Sequence, residues 1–144
     1  MLKGLALVAI SSILAASCSS GDDRPVVDDF PLAEGRCENR KPSEFISPDG
    51  LYKAIRFSRR CGSDLPSLNI SVLPTAVPLP DEPGNVLIDV PPKDVGGYKT
   101  HVRMIWSEQH TLAIEHNESM KLEKAASSAG DLEVIHRTVP DDAA

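Results

Sequence analysis

Proline decides what this chain can become. Twelve prolines, with turns rich in Gly, Asp and Ser, cut it into short pieces. Pro74, Pro78, Pro80 and Pro83 forbid regular structure up to Gly84, and Pro91-Pro92 stops the segment after it. Ser47-Pro48-Asp49-Gly50 is a turn with a mechanism. Pro presets φ, Asp bonds its own backbone, and Gly accepts positive φ. No piece left over is long enough for a crossover helix, so the chain has to fold from short strands.

Those pieces alternate with period two. Tyr52–Arg59 places Lys53, Ile55 and Phe57 on one face and Ala54, Arg56 and Ser58 on the other, with Ile55 and Phe57 expected to point inward. Leu68–Leu73, Asn85–Val90, Thr100–Trp106 and Thr111–His116 read as further strands. Val102, Met104 and Trp106 share one face, and Leu112 and Ile114 form another core face. The charged stretch from Gly35 to Phe45 reads as irregular structure pinned by Cys37. Residues 119–129 fit either a short helix or one arm of a hairpin turning at Gly130-Asp131 onto Leu132–Val139, and the hairpin is preferred. The pattern predicts an all-β fold, a small antiparallel meander or sandwich-like domain of five to seven strands. No repeat period is sustained, which excludes a solenoid or a complete propeller.

The first residues are different in kind. Lys3 precedes a short apolar run, Leu5 to Ile10 with Ile13-Leu14, and small residues lead to Cys18. This is the pattern of a signal peptide over residues 1–17, too short and too interrupted by Ser to span a bilayer. Leu14-Ala15-Ala16-Ser17-Cys18 resembles the lipobox of bacterial lipoproteins, with Ala15 in place of the more usual Leu. The resemblance implies that the Cys18 thiol receives a diacylglycerol, that the signal is cut before it, and that the new amino group is acylated. Two or more acyl chains such as palmitate anchor a protein stably. Ser19 implies sorting to the outer membrane, facing the periplasm. Residues 18–34 then read as a lipidated flexible tether, 35–139 as one β-rich domain, and 140–144 as a disordered tail.

Charge narrows the partners. The full chain carries a formal −6, and losing Lys3 with the signal makes it one unit more negative. With no basic cluster beyond Arg56, Arg59 and Arg60, neither nucleic acid nor anionic lipid is an electrostatic partner. With Cys18 lipidated, Cys37 and Cys61 are an even pair in an oxidising compartment. They read as a disulfide, the alternative being two buried free thiols. No CxxC spacing points to redox catalysis or zinc.

The remaining chemistry is sparse. His110 and His116 lie at opposite ends of one strand, about 20 Å apart at strand rise, too far to share a metal ion. His101 and His136 approach only in a register that the sequence does not specify. No GxSxG elbow exists, and Glu108 with His110 in one turn is not a triad. Asn69-Ile70-Ser71 and Asn117-Glu118-Ser119 match the glycosylation sequon by chance. Arg59 and Arg60 beside Cys61, with Asp81 and Glu82 in the proline-rich loop, are the candidate interaction surface.

The Ser47–Gly50 turn, Cys61-Gly62, Ile70–Pro74, Pro80–Val86 and Val102-Arg103-x-x-Trp106 before Leu112-x-Ile114 occur together. In this the chain resembles a family of small bacterial proteins carrying a domain of unknown function, over roughly residues 45–139. That resemblance implies no activity and no site residues.

The expectation is an envelope lipoprotein with a non-catalytic β domain, no cofactor and an envelope protein as partner. A periplasmic inhibitor or immunity protein against a basic lytic enzyme is one alternative, and a small hydrolase is another. Labelled palmitate is expected to enter the wild-type protein and to be lost, with membrane retention, in Cys18→Ser. A soluble, unlabelled wild type would remove the anchor.

Overall fold

The computed structural model describes residues 33–92 and 100–141. The signal peptide, Cys18, residues 19–32 of the tether and residues 142–144 lie outside the described residues. Nine strands form: β1 (Cys37–Ile46), β2 (Tyr52–Cys61), β3 (Ser67–Pro74), β4 (Leu87–Asp89), β5 (Val102–Glu108), β6 (Thr111–Asn117), β7 (Leu122–Ala125), β8 (Ser128–Ala129) and β9 (Leu132–Val139). They make a five-stranded sheet in the order β1-β2-β3-β4-β7 and a four-stranded sheet in the order β5-β6-β9-β8. The fold is all-β, with no helix among the described residues. Of the expected hairpin arm over 119–129, only Ser128-Ala129 pair with β9 around Gly130-Asp131; Leu122–Ala125 join the other sheet beside β4.

Three expectations need correction. Residues 37–46 are not irregular. Cys37 stands directly opposite Cys61, and the ladder runs on to Ile46 opposite Lys53, with a register shift between Arg40 and Ser43 that accommodates Pro42. A proline and charged side chains at such a bulge are what an edge strand tolerates. The third expected strand, Asn85–Val90, shortens to Leu87–Asp89. Ahead of it, the Asn85 side chain takes the place of a strand peptide: Nδ2 donates to the Val72 carbonyl at 2.9 Å and Oδ1 accepts from the Val72 N–H at 2.8 Å. Of the two expected arrangements the sandwich-like one forms, with nine strands among the described residues rather than five to seven. After β6 the chain crosses to the first sheet as β7, returns as β8, and lays β9 parallel to β6. The crossing is short because the segment between β7 and β8 bonds both sheets, Ala126 N–H to the Val86 carbonyl and Val134 N–H to the Ser127 carbonyl, each at 2.9 Å.

The core lies between the sheets. Ala54, Ile70, Val72, Val86 and Leu87 meet Leu112, Ile114, Leu132 and Val134, flanked by half-buried Val102, Met104 and Trp106. Burial of a large aliphatic side chain stabilises by roughly 1.5–3 kcal/mol, so this cluster is the main source of cohesion. The Cys37–Cys61 disulfide closes a loop with a sequence separation of 24. It adds roughly 3 kcal/mol on the chain-entropy account.

Ile55 and Phe57 are buried, at 0% and 1% exposure. They alternate with Ala54, so they lie on the sheet's other face, away from the second sheet. The segment 75–84 crosses that face. Asn39 Nδ2 donates to the carbonyls of Pro80 and Glu82, both at 2.9 Å. Arg59 Nη1 reaches Asp81 Oδ1 at 2.9 Å, and Asn69 Oδ1 accepts from Gly84 N–H at 2.9 Å. Gly84 is required at that landing point, since a Cβ there would stand 2.6 Å from the Leu87 carbonyl oxygen and 2.7 Å from that of Ile70.

Both obstacles to a side chain at Gly84 are backbone atoms and cannot rotate away. Gly84→Ala is therefore expected to cost about 2 kcal/mol, at the scale of core overpacking. It should appear as a lowered urea midpoint with an unchanged slope. An unchanged midpoint would mean that the loop is not seated against β3 and β4 in this way.

Candidate functional site

The turn after β1 is built from its own polar groups. Ser47 accepts the Gly50 N–H at its carbonyl and donates its own N–H to the Tyr52 carbonyl, each at 2.9 Å. Its hydroxyl donates to Asp49 Oδ1 at 2.6 Å and accepts from Tyr52 N–H at 3.0 Å. Asp49 Oδ1 also accepts from Leu51 N–H at 3.1 Å. Gly50 has φ of 74°, which a side chain with a Cβ disfavours.

Two turns of the second sheet meet this one. His110, between β5 and β6, brings Nε2 to 3.4 Å from Asp49 Oδ2. The Tyr52 ring stands edge-on to His110, with centroids 5.8 Å apart. Tyr52 also donates its hydroxyl to Asp131 Oδ1, in the β8–β9 turn, at 2.8 Å. Glu133 N–H donates to the His110 carbonyl at 3.0 Å. Three hairpin ends are thereby joined into one surface.

The hydrogen bonds set the titration of the group. The Ser47 hydroxyl, then the Leu51 N–H, holds Asp49 below the ordinary carboxylate value. The Tyr52 hydroxyl does the same for Asp131, and Asp131 in turn raises Tyr52. Both carboxylates, charged at neutral pH as any carboxylate is, therefore keep that charge further into acid.

Apolar side chains are exposed on the same end: Phe45 at 41%, Ile46 at 49% and Leu51 at 60%. Trp106 Nε1 donates to the Phe45 carbonyl at 3.0 Å and ties β5 to the edge strand β1. The geometry departs from that of a hydrolase triad, in which histidine must touch the nucleophile. Here Asp49 stands between Ser47 and His110, and Ser47 is only 3% exposed. What the arrangement offers is a fixed contact surface of charged and apolar groups.

The residues singled out from the sequence fall elsewhere. Cys37 and Cys61 are bonded to each other, at the opposite end of the sandwich from the three turns. Arg59 and Asp81 are partners, and the Arg59 side chain is only 12% exposed. It also donates to Asn39 Oδ1 at 2.8 Å, so the pair clamps the loop to the sheet. Glu82 contributes its carbonyl to that clamp and leaves its side chain exposed, while Arg60 is half-buried opposite Glu38.

Asn69 and Asn117, the two sequon asparagines, are buried at 0% and 2%. Asn117 Oδ1 accepts from His101 N–H at 2.6 Å. His136 meets His116, with ring centroids 6.0 Å apart, because β6 and β9 run parallel. No group of three or more metal-ligating side chains occurs among the described residues. Ser119 Oγ donates to Asp141 Oδ1 at 2.8 Å, so bonded chain extends past the expected boundary at residue 139.

Tyr52 and Asp131 escape sequence reasoning as site residues. The only local signal is that each stands beside a turn. No family model matches the chain, and no curated protein or solved structure matches it.

Depressed carboxylate pKa values make a pH prediction. Asp49 and Asp131 stabilise the fold above their ordinary 3.8, and that contribution is lost as pH falls below it. Tyr52, raised from 10.0, has the opposite sign: its contribution is present below that value and is lost as pH rises through it. Calorimetry is expected to show Tm falling more steeply from about pH 5 to about pH 3 in the wild type than in Asp49→Asn/Asp131→Asn. Parallel curves would show that the bonds do not persist in solution.

Proposed function

We propose that this chain is an envelope lipoprotein, held through Cys18, whose β domain recognises another protein through its three-turn end. One observation carries the reading. Exposed Phe45, Ile46 and Leu51 surround a set of turns locked together by Ser47, Asp49, Tyr52, His110 and Asp131. Exposed apolar groups on rigid backbone are what a recognition surface needs, because little conformational entropy is left to lose on binding.

Position supports it. The domain is entered at Cys37, and β1 runs ten residues from there to the turns, roughly 30 Å at strand rise. An anchor at Cys18 puts the disulfide end nearer the membrane and the turn end toward the periplasm. The lipobox pattern, the paired cysteines and the acidic balance are the sequence features that agree with this placement.

The test is site-specific photo-crosslinking of the full-length protein in cells. A photoreactive residue at Leu51 or Ile46 is expected to give adducts of discrete mass. The same residue at exposed Lys121, at the other end, is expected to give none. Equal labelling at both ends would overturn the reading.

A further inference from the structure

Charge is distributed unevenly over the two ends of the sandwich. The turn end carries Glu44, Asp49, Glu108, Asp131 and Glu133. Among the described residues its cations are already engaged: Lys53 is 7% exposed and lies 3.2 Å from Glu44, and His110 lies against Asp49. The described arginines are elsewhere. Arg36 precedes β1, Arg40, Arg59 and Arg60 lie on β1 and β2 toward the disulfide, and exposed Arg56 stands midway along β2. Arg103 and Arg137 face Glu115 from both sides at 3.7 and 3.9 Å. The formal −6 of the whole chain therefore understates the negative field at the turns.

Resting on the reading of this end as a recognition surface, we infer that its partner is a basic protein, presenting Lys or Arg side chains beside apolar groups that meet Leu51 at the turn and the exposed Phe45 and Ile46 on the two faces of β1. Complementarity selects this occupant over the others. A second copy would bring like-charged ends together, and like-charge contact across an interface costs several kcal/mol. Nucleic acid and anionic lipid are repelled for the same reason. A cationic protein is drawn to the end from solution, since clustered charge of one sign raises association rates by ten- to a thousand-fold at low salt. The exposed apolar groups then supply contact that salt does not screen.

The experiment is the Leu51 photo-crosslink in the full-length protein, with charge varied around it. Glu108→Lys with Glu133→Lys removes acid from the end and leaves the side chains of Asp49, Tyr52 and His110 in place; the Glu133 N–H that bonds the His110 carbonyl is backbone and is kept. It is expected to lower the adduct yield about tenfold at low ionic strength, with a smaller loss at high salt. Glu123→Lys, exposed at the disulfide end, is expected to change nothing. The crosslinked peptide of the partner should contain Lys or Arg beside apolar residues. Unchanged thermal midpoints for both variants will show that the fold is kept. An adduct insensitive to salt and charge reversal, or one whose partner peptide is acidic, overturns this inference and leaves the recognition end standing. Absence of any adduct at Leu51 overturns both.

Discussion

One sheet here has two apolar faces, and only one of them has a second sheet opposite it. Alternation along β2 sends Ala54 toward Leu112 and Ile114, and sends Ile55 and Phe57 the other way. Leaving those two side chains in water would forfeit several kcal/mol, so a connection has to serve as a layer. Segment 75–84 does this with few residues because its carbonyls and one carboxylate find fixed donors on the strands below. Its prolines restrict the unfolded chain more than the folded one. The Arg59–Asp81 ion pair gains from having its arginine largely shielded and bonded to Asn39 as well.

The turn end depends on the same economy of fixed donors. Tyr52 is the residue that makes the two sheets one object there. Its ring packs against the core, and its hydroxyl reaches a turn 79 residues further along the chain. Because the three turns share partners, displacement of one disturbs the others, which is how loops on a β scaffold come to hold exposed apolar groups in set positions.

The parts of this fold that were legible in the sequence are those where period two survives. β2, β3, β5, β6 and β9 announce themselves through alternating Ile, Val, Leu and Met. β1 does not, because an edge strand with Pro42 and charged neighbours satisfies its environment without an apolar face of its own. The parallel pairing of β6 with β9 is set by the sheet switch at Ala126 and Ser127, which are unremarkable as residues. Burial of Ile55 and Phe57 was readable, but what buries them was not. Arg59 looked like surface because a charge read singly looks solvated; Asp81 is indeed exposed, and their pairing depends on a loop path that local pattern does not encode. The turn cluster was half visible. Ser47 to Gly50 declares its own geometry, whereas Asp131 becomes its partner only through the tertiary fold.

The place of β9 has a consequence for how the molecule is made. It is the last strand among the described residues, and it lies inside its sheet between β6 and β8, supplying Leu132 and Val134 to the core. The β1–β2–β3 ladders join neighbours in sequence, but the hydrophobic interior is incomplete without Leu132 and Val134. Closure thus waits on contacts of long sequence separation, which are slow to form. The β5–β6 hairpin therefore gains a complete apolar partner only when β9 is in place beside it.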